Sequence, residues 1–417
     1  MGHSSTLVTP NSPSPRLRVL WIKSGGVYPP NTGGRLRTYE MLKALHADHD
    51  VHFLALGSPE NGDRCDYASK IEFIPLEVPH RRSVAFMWRA IANLFSPNPL
   101  SLDLYRSTAL GHRVEQICRR DDPDLIICDF LTPALSLPLA VRKRAILFQH
   151  NIEALIWKRT AETARSWFAK MYFSSQYRRM HRLEGRLSKD FARVITVSAA
   201  DSELAAREYG LNNIVGHVAT GVSESAFAGI WEKPKQPGQV CFLGSMDWMP
   251  NIDGMAWFLE EVWPSISTGH PEASLRVIGR NPPPSLVQRA SGAPSVCFTG
   301  TVDDIRPHLE DVQIAVVPLR IGGGTRLKIL ELMAAGIPIV STTIGAEGLP
   351  VQHGVHLLLA DTPDEMRAAV LKLMGDAGLR SRLREAAQKE IVRPAGWSAV
   401  TRDFVRLATN PLQSGSH

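Results

Sequence analysis

The residues best suited to chemistry lie together in one glycine-rich stretch. It combines three glycines, a threonine, two cations and a carboxylate, at Gly322, Gly323, Gly324, Thr325, Arg326, Lys328 and Glu331. Successive glycines let backbone N–H groups approach a ligand closely, and a helix N-terminus concentrates positive potential. Cations beside a carboxylate that can accept hydrogen bonds from a diol suit a nucleotide diphosphate. The stretch therefore predicts a nucleotide diphosphate site, and the alternative is a glycine turn followed by a surface pair of Lys328 and Glu331.

The residues around this stretch predict a strand, a loop and a helix. Residues 313–318 form a short run rich in β-branched side chains, which the three glycines cannot continue. Thr325 is a predicted N-cap, and apolar residues recur at helical spacing up to Gly336, which is placed to end the helix. Residues 337–340 begin the next strand. This order brings a helix N-terminus beside the end of a strand, which is a favourable place for a phosphate.

The same stretch resembles a known enzyme family. The run Gly-Gly-Gly-Thr-Arg-Leu-Lys-Ile-Leu-Glu at 322–331, followed by Gly-Ala-Glu-Gly-Leu at 345–349, is similar to the donor-site signature of the family 4 glycosyltransferases. The similarity extends over most of the chain and is closest to a branch that carries G-G-G-T-R-x-K in place of the commoner acidic loop. It implies a GT-B fold and a retaining, metal-independent enzyme. The implied co-substrate is a nucleotide diphosphate sugar, with no other cofactor.

The resemblance implies a role for each charged residue of the stretch. Arg326 and Lys328, together with the backbone of residues 322–325, would stabilise the diphosphate as it departs, because preorganised donors there meet the developing charge. Glu331 would hold the ribose. In retaining members of the family the leaving phosphate is thought to take the acceptor's proton, so that a protein base is not required.

Three further positions in the second half of the chain bear on the donor. Gly323 stands where the common signature has a glutamate that contacts sugar hydroxyls, so its backbone replaces that contact or the donor sugar differs. Glu347 would either approach the ribose or base or only fix its own loop. Gly244 ends a strand-like run and opens a phrase that resembles the start of the donor domain in the same branch. Many members have a basic loop there, whereas this chain has Asp247, which places more of the diphosphate's charge on the glycine-rich stretch.

A second glycine loop follows the first predicted strand, residues 17–22. The chain then reads Pro-Asn-Thr-Gly-Gly-Arg-Leu-Arg, which resembles the family's P-x-x-G-G-x-x-R pattern at the cleft. That resemblance implies that Gly33, Gly34 and Arg37 contact the acceptor or the donor phosphates; a purely structural loop is the alternative. The loop lacks G-x-G-x-x-G spacing and a suitably placed acidic residue, so dinucleotide binding is poorly supported.

His150 and Asn151 directly follow the predicted strand at 144–149. The carboxyl ends of parallel strands are where ligands bind in α/β sheets. A lone histidine is more often structural, but this phrase resembles the family's His-Asn motif. The resemblance implies that His150 contacts the donor sugar or diphosphate and that Asn151 supports it.

Composition is that of an ordinary α/β protein. The 417 residues are 44% apolar and 21% charged, and that length fits two domains. The five cysteines include no C-x-x-C pair, which favours a reducing compartment and argues against a disulfide framework or a zinc site. No signal peptide or membrane span is apparent, so a cytoplasmic protein is expected. Asp122-Pro-Asp124 precedes a strand, at the wrong end of a parallel sheet for a metal site.

Positive charge is concentrated in residues 141–193, which contain thirteen Lys or Arg and only four Asp or Glu. The net charge of the whole chain is only +6. A basic, aromatic-containing helical region at 152–189 suits an anionic membrane surface, which would make the protein peripheral on the inner face of the membrane. The basic amphipathic segment 81–95 either does the same or covers the sheet. The alternative for the basic region is a solvated helix face, and no nucleic-acid motif accompanies it.

Strands alternating with helices in both halves predict two doubly wound α/β domains. The predicted order is a tail (1–15), an acceptor-side domain (16–223), a linker (224–238), a nucleotide-sugar domain (239–395), a helix that crosses back (396–410) and a second tail (411–417). The predicted function is a glycosyltransferase with a glycan or lipid-linked glycan acceptor. The alternatives are a nucleotide-sugar epimerase of the same fold and a non-catalytic sugar-nucleotide-binding protein or membrane-bound scaffold.

Overall fold

Two parallel sheets organise the chain in this computed structural model. The structure describes residues 16–30, 32–59, 66–80, 83–164, 166–290, 295–321 and 326–410. Both predicted tails, 1–15 and 411–417, lie outside these residues. The predicted fold class, two doubly wound α/β domains, is confirmed.

The first sheet has seven strands in the order β3-β2-β1-β4-β5-β6-β7, and each pairing is parallel. The strands are β1 (Arg18–Ser24), β2 (Asp50–Leu56), β3 (Lys70–Ile74), β4 (Leu125–Asp129), β5 (Ile146–Phe148), β6 (Arg193–Thr196) and β7 (Ile214–His217). The direction of strand order reverses between β1 and β4. A crevice opens at such a reversal, at the carboxyl ends of the strands.

The second sheet has six strands in the order β10-β9-β8-β11-β12-β13, also parallel. They are β8 (Gln239–Leu243), β9 (Ser274–Ile278), β10 (Val296–Gly300), β11 (Ile314–Val317), β12 (Ile339–Ser341) and β13 (Leu358–Leu359). The reversal here lies between β8 and β11. Gly244 and the glycine-rich stretch therefore follow the two strands that flank it.

Most of the helices cover the faces of the two sheets. Those of the first half are α1 (Gly33–Asp48), α2 (Val84–Asn93), α3 (Leu100–Asp103), α4 (Thr108–Asp121), α5 (Leu139–Arg142), α6 (Glu153–Thr163), α7 (Trp167–Asp190) and α8 (Ala199–Tyr209). Those of the second half are α9 (Glu224–Trp231), α10 (Met249–Trp257), α11 (Trp263–Gly269), α12 (Pro284–Ala290), α13 (Leu327–Ala334), α14 (Thr343–Ala346), α15 (Pro363–Gly375), α16 (Ala377–Ala387) and α17 (Trp397–Thr409). The helix predicted across 152–189 is thus two helices, α6 and α7.

The connections between the two halves bear on the predicted domain boundaries, which stay a prediction. Phe227 and Ile230 of α9 lie in the core of the second sheet, so the first part of the predicted linker belongs structurally to that sheet. The last helix, α17, packs against the first sheet. The ring of Phe404 lies 5.8 Å from that of Trp21 and 4.9 Å from that of Phe148, measured between centroids.

Candidate active site

A cleft of about 810 Å³ lies between the carboxyl edges of the two sheets. Most of the predicted site residues in the described part of the chain line it, and they come from both halves: Gly33, Gly34, His150, Asn151, Gly244, Arg326, Lys328 and Glu331. The predicted glycine loop Gly322–Gly324 and Thr325 lie outside the described residues. The cleft combines a basic end in the second half with a histidine in the first.

Lys328 is the cation best placed to meet a ligand. Its Nζ donates to Asn251 Oδ1 at 2.7 Å and lies 4.6 Å from the centroid of the Phe242 ring. Burial lowers the pKa of Lys328 to about 7, the charge of Arg326 adds to this effect, and Glu331 opposes it. An anion in the cleft would favour the charged ammonium and so restore its usual state. Asn251 was not predicted from the sequence, yet it sets the position of the ammonium.

Glu331 lies one helical turn beyond Lys328 on α13 and faces the same cleft. Burial raises the pKa of Glu331 to about 7, and the charge of Lys328 opposes this shift. With a pKa of about 7, the Glu331 carboxyl is partly ionised at neutral pH. It is also partly shielded from water, so its oxygens can accept hydrogen bonds from hydroxyl groups that enter the cleft. Its position agrees with the predicted contact to a ribose, which stays a prediction.

Arg326 forms the start of α13 instead of the predicted Thr325. The helix begins at Leu327, and Arg326 occupies the N-cap position with φ 47°, in the left-handed region. The N-cap prediction is therefore displaced by one residue, because the chain turns sharply at Arg326 itself. Its guanidinium is almost wholly buried and lies 3.4 Å from a carboxylate oxygen of Glu347. Arg326 thus lines the cleft while its charge is shared with the partly exposed carboxylate of Glu347.

Gly244 leaves room for the Lys328 ammonium. A Cβ at this position would lie 2.7 Å from Lys328 Nζ and 2.9 Å from Asn251 Nδ2. The neighbouring Gly279 is equally constrained, since its Cβ would collide with the backbone carbonyl of Gly244. These two glycines bring the ends of β8 and β9 close to the cation, which is a geometric reason for the glycine at residue 244.

The part of the cleft rim formed by the second half contains a cation, Arg280, to which the sequence analysis gave no role in the site. Arg280 lines the cleft, pairs with Asp247 at 3.0 Å and donates to Ser245 Oγ at 2.9 Å. The acidic Asp247, which replaces the basic loop of many relatives, is therefore neutralised by Arg280. Arg280 could have been identified from the sequence, because it lies two residues after β9 and directly after a glycine.

His150 joins a buried polar cluster at the base of the cleft. Its Nε2 lies 2.7 Å from Asp129 Oδ1, and its ring stacks on Phe130 with centroids 3.8 Å apart. Lys23 Nζ donates to Asp129 Oδ2 at 2.9 Å. Burial lowers the pKa of His150 to about 4, with Asp129 opposing the shift, so the imidazole is neutral at pH 7.

Asp129 and Lys23 were missed by sequence reasoning. Each lies at the carboxyl end of a strand beside the reversal in the first sheet, in β4 and β1 respectively. Burial alone would raise the pKa of Asp129, but the charges of Lys23 and His150 hold it below its usual value. A charged residue that ends an apolar strand was the signal that could have identified both.

The other predicted residues of the first half divide between cleft and core. Gly33 and Gly34 begin α1 at the cleft wall, and Asn151 donates to Glu153 Oε1 at 3.3 Å. Arg37, in contrast, is fully buried and does not line the cleft. It donates to Thr220 Oγ1 at 2.9 Å and to the Val218 carbonyl at 2.6 Å. The charge of Arg37 is directed to backbone and hydroxyl acceptors that follow β7, a placement that favours a structural role over the predicted ligand contact.

Glu347 lies apart from the large cleft. It lines a cavity of about 30 Å³ and binds Arg159 of α6 through two 2.9 Å hydrogen bonds. The pair joins the two halves of the protein across the back of the cleft. Between the two roles open for Glu347, this placement favours the structural one.

The arrangement provides a site for a phosphorylated ligand next to hydroxyl-binding groups. Lys328, Arg326 and the start of α13 supply positive potential, while Glu331 and His150 supply hydrogen-bond acceptors. Among the described residues, no three His, Cys, Asp or Glu side chains converge as a metal-binding group. The site suits a nucleotide sugar whose diphosphate lies at the second sheet and whose sugar extends towards the first.

Comparisons with known proteins agree with this arrangement. Residues 32–218 match the model of the glycosyl transferase 4-like domain, and residues 237–376 match that of glycosyl transferases group 1. An uncharacterized 44.6 kDa protein in the cps region of Klebsiella pneumoniae is 23% identical over 357 residues, which cover 82% of this chain and 87% of that protein.

Solved structures share the fold at low sequence identity. HepE from Anabaena, in complex with UDP and glucose, has a TM-score of 0.67 at 13% identity and covers 95% of this chain and 100% of its own. WaaG, a glycosyltransferase involved in lipopolysaccharide biosynthesis, has a TM-score of 0.63 at 13% identity and covers 94% and 100%. These likenesses confirm the GT-B architecture. With matches to glycosyltransferase models in both halves, the chain belongs to the group 1, or family 4, glycosyltransferases.

Proposed function

We propose that this glycosyltransferase transfers a sugar from a nucleotide diphosphate sugar to an acceptor with retention of anomeric configuration. The observation that carries the proposal is the position of Lys328, an ammonium held by Asn251 at the floor of the cleft, with Glu331 one helical turn away. HepE was solved with UDP and glucose, which supports a nucleotide sugar as the donor class.

The chemical barrier in such a reaction is departure of the nucleotide diphosphate. Lys328 and Arg326 meet the negative charge that develops on the leaving phosphate, and the start of α13 adds the potential of a helix N-terminus. Because these groups are fixed in place before the reaction, they need no reorganisation as the charge appears. A metal ion is then unnecessary for the charge to be stabilised, and we propose that the reaction is metal-independent.

The acceptor is proposed to be a glycan or a lipid-linked glycan. The Klebsiella relative is named for the cps region, and WaaG acts in lipopolysaccharide biosynthesis. The first half of the cleft, where His150 and Asn151 face the second sheet, is the side from which an acceptor hydroxyl can approach the sugar.

The test is donor consumption in the presence of EDTA. Purified enzyme is incubated with UDP-, GDP-, ADP- and dTDP-sugars, with and without a lipid-linked glycan, and nucleotide diphosphate release is followed. We expect release with one nucleotide class and an NMR spectrum of the product that shows the donor's anomeric configuration. Inversion of the configuration, or dependence on added metal, would contradict the proposal.

The same assay separates the alternatives. A nucleotide-sugar epimerase converts the donor into its epimer, with no sugar transferred to an acceptor and no stoichiometric release of nucleotide diphosphate. A non-catalytic sugar-nucleotide-binding protein binds the donor and releases nothing, even slowly to water. Either result would replace the transferase proposal while leaving the donor site intact.

We further propose that the enzyme works as a peripheral protein on the anionic inner face of a membrane. Of the residues in α2, only Asn93 is buried, so this helix does not cover the sheet. Trp88 is 67% exposed and Phe95, just beyond the helix, is 89% exposed. None of the helices in the described residues is both long and apolar enough to cross a bilayer. An exposed apolar helix of this length fits insertion at the interface.

Helix α7 extends the same surface within the basic segment 141–193. Trp167 and Phe168 are exposed at its first turn, and exposed arginines follow one another along its length at Arg178, Arg182 and Arg186. Arg179 ties the two helices together by donating to the carbonyls of Asn93 and Leu94. Apolar side chains beside a row of cations suit anionic lipid headgroups, and the positive charge disfavours pairing with a second copy.

Vesicle sedimentation tests this docking surface. We expect binding to vesicles that contain anionic lipid, weaker binding to zwitterionic vesicles, and a loss of binding in Trp88→Ser/Phe95→Ser. Exchange of Trp248, exposed on the second half, for serine is the matched control. Equal binding by the wild type and the double variant would refute the proposed membrane-docking surface. That result would not bear on the proposed donor reaction.

A further inference from the structure

The cluster beneath His150 is more organised than a single ion pair. Trp21 Nε1, Lys23 Nζ and Thr38 Oγ1 all donate to Asp129 Oδ2, at 3.1, 2.9 and 2.6 Å. The other carboxylate oxygen, Oδ1, is the one that lies 2.7 Å from His150 Nε2. Three elements, β1, α1 and β4, therefore fix the two oxygens of one buried carboxylate in distinct roles.

The His150 ring is also held on its face. Phe130 stacks on it at 3.8 Å, and Phe148 packs against it edge-on at 4.5 Å. Phe130 can take this position because residue 34 is a glycine. Any other residue there would place its Cβ 3.0 Å from Phe130 Cζ. The role of Gly34 at the cleft thus includes room for the ring that supports His150.

Neither ring nitrogen of His150 makes an aligned hydrogen bond within the described residues, although Nε2 lies 2.7 Å from Asp129 Oδ1. Nδ1 is buried and has no hydrogen-bond acceptor or donor among the described residues, although the side chain lines the cleft. A buried polar atom left unpaired is costly, so a ligand hydroxyl in the cleft is a natural partner for it.

We propose that Asp129 is a positioning residue that holds His150 in the neutral tautomer with its proton on Nε2, so that Nδ1 accepts a hydrogen bond from a sugar hydroxyl. A carboxylate accepts hydrogen bonds and does not donate them, so the nitrogen that faces Asp129 must carry the proton. Nε2 and Oδ1 are within hydrogen-bonding distance, although the Nε2–H is not aligned with Oδ1 in this structure.

Lys23 has a supporting role in this arrangement. Its ammonium lies 2.9 Å from Asp129 and 4.1 Å from the centroid of Phe130, and it keeps the carboxylate ionised although it is buried. The charged groups that act on His150 are Asp129, Arg37 and Lys23. The two cations disfavour an imidazolium, and burial adds to that effect, so the ring stays neutral and Nδ1 stays an acceptor.

The inference rests on the proposed function only for the identity of the ligand, because the tautomer itself can be measured without a donor. We would label histidine with ¹⁵N and assign His150 by comparison with His150→Gln. In the wild type at pH 7, long-range ¹H–¹⁵N spectra should show Nε2 protonated and Nδ1 unprotonated. A protonated Nδ1 in the wild type would overturn the proposal whatever the variants do.

Asp129→Asn gives a directional test. The amide oxygen of the variant must face the three donors Trp21, Lys23 and Thr38, which leaves its NH2 group facing His150 Nε2. That contact requires Nε2 to accept, so the tautomer should switch and the proton should move to Nδ1. We expect kcat/KM for the donor sugar to fall about 10- to 100-fold, by analogy with the loss of a carboxylate that orients a metal-binding histidine.

Two comparisons keep this result specific. Affinity for the nucleotide diphosphate alone should be unchanged in Asp129→Asn, since Lys328 and Glu331 lie on the other sheet. Asp66→Asn, the same exchange at an exposed carboxylate of the first half, should leave both tautomer and turnover unchanged. An unchanged tautomer together with lost turnover would refute the positioning role. Failure of the wild type to bind any nucleotide sugar would instead refute the proposed function.

Discussion

Gly244→Ala is the sharpest perturbation that the cleft offers. The added Cβ would lie 2.7 Å from Lys328 Nζ and 2.9 Å from Asn251 Nδ2. Non-bonded heavy atoms prefer a separation of about 3.5–4.0 Å, so the ammonium must move by roughly 1 Å. The atoms that must move are the ends of side chains, which makes the change mild for folding and severe for the position of the cation.

The size of the effect follows from Coulomb's law. At an effective dielectric constant of about 20, a unit charge pair weakens by about 1.4 kcal/mol when its separation grows from about 3 to about 4 Å. This difference corresponds to roughly a tenfold loss of affinity for the diphosphate. Loss of the Lys328–Asn251 hydrogen bond would add to it, since hydrogen bonds to charged groups contribute about 1.5–3 kcal/mol.

Titration calorimetry with the cognate nucleotide diphosphate measures this loss. Gly229→Ala is the matched control, because a Cβ at Gly229 meets no atom within 4 Å and the residue lies in α9 of the same half. We expect wild-type affinity in Gly229→Ala, at least tenfold weaker binding in Gly244→Ala, and similar melting temperatures. Equal affinities in the two variants would refute the assignment of Lys328 to the phosphate.

Two further predictions concern the charges around this site. Because burial lowers the pKa of Lys328 to about 7 and the diphosphate binds the ammonium form, affinity should fall as the pH rises from about 7 to 9. Lys328→Arg should remove that dependence in the same calorimetric titration, and a flat wild-type profile would contradict it. Arg159→Met should weaken diphosphate binding roughly fivefold, since Glu347 would then pair only with Arg326 and compete for its charge. Glu347→Gln in the Arg159→Met background should restore the affinity; persistence of the loss would exclude this competition.

Local sequence patterns were sufficient to predict two α/β domains, and the resemblance to the family added the GT-B arrangement and many of the residues that line the cleft. Apolar runs that end in glycine, followed by helical periodicity, located the strands beside the reversal in each sheet. Lys328 and Glu331 were predicted from the glycine loop, the helix start and the resemblance to the family signature, and Gly244 from a similar phrase after a strand; all three line the cleft. The amphipathic helix within 81–95 was predicted from the same periodicity, but the exposure of nearly all of α2 could not be read from it.

The misplaced residues depend on contacts between distant parts of the chain. Arg37 satisfies a P-x-x-G-G-x-x-R pattern, but its partners follow β7, more than 180 residues away. Glu347 lies in the expected motif, but Arg159 of the other half holds it away from the cleft. Asp129 carries no local motif, and its importance appears only when β1, α1 and β5 meet around it.

The proposed reaction depends above all on a nucleotide diphosphate that binds at Lys328. Thermal unfolding in the presence of EDTA, with UDP, GDP, ADP or dTDP at millimolar concentration, tests it directly. At about 100 times its dissociation constant, the cognate nucleotide should stabilise the wild type by about 2.7 kcal/mol, and the stabilisation should largely disappear in Lys328→Ala. If no nucleotide shifts the transition at millimolar concentration, or if Lys328→Ala responds like the wild type, the diphosphate site is not at Lys328.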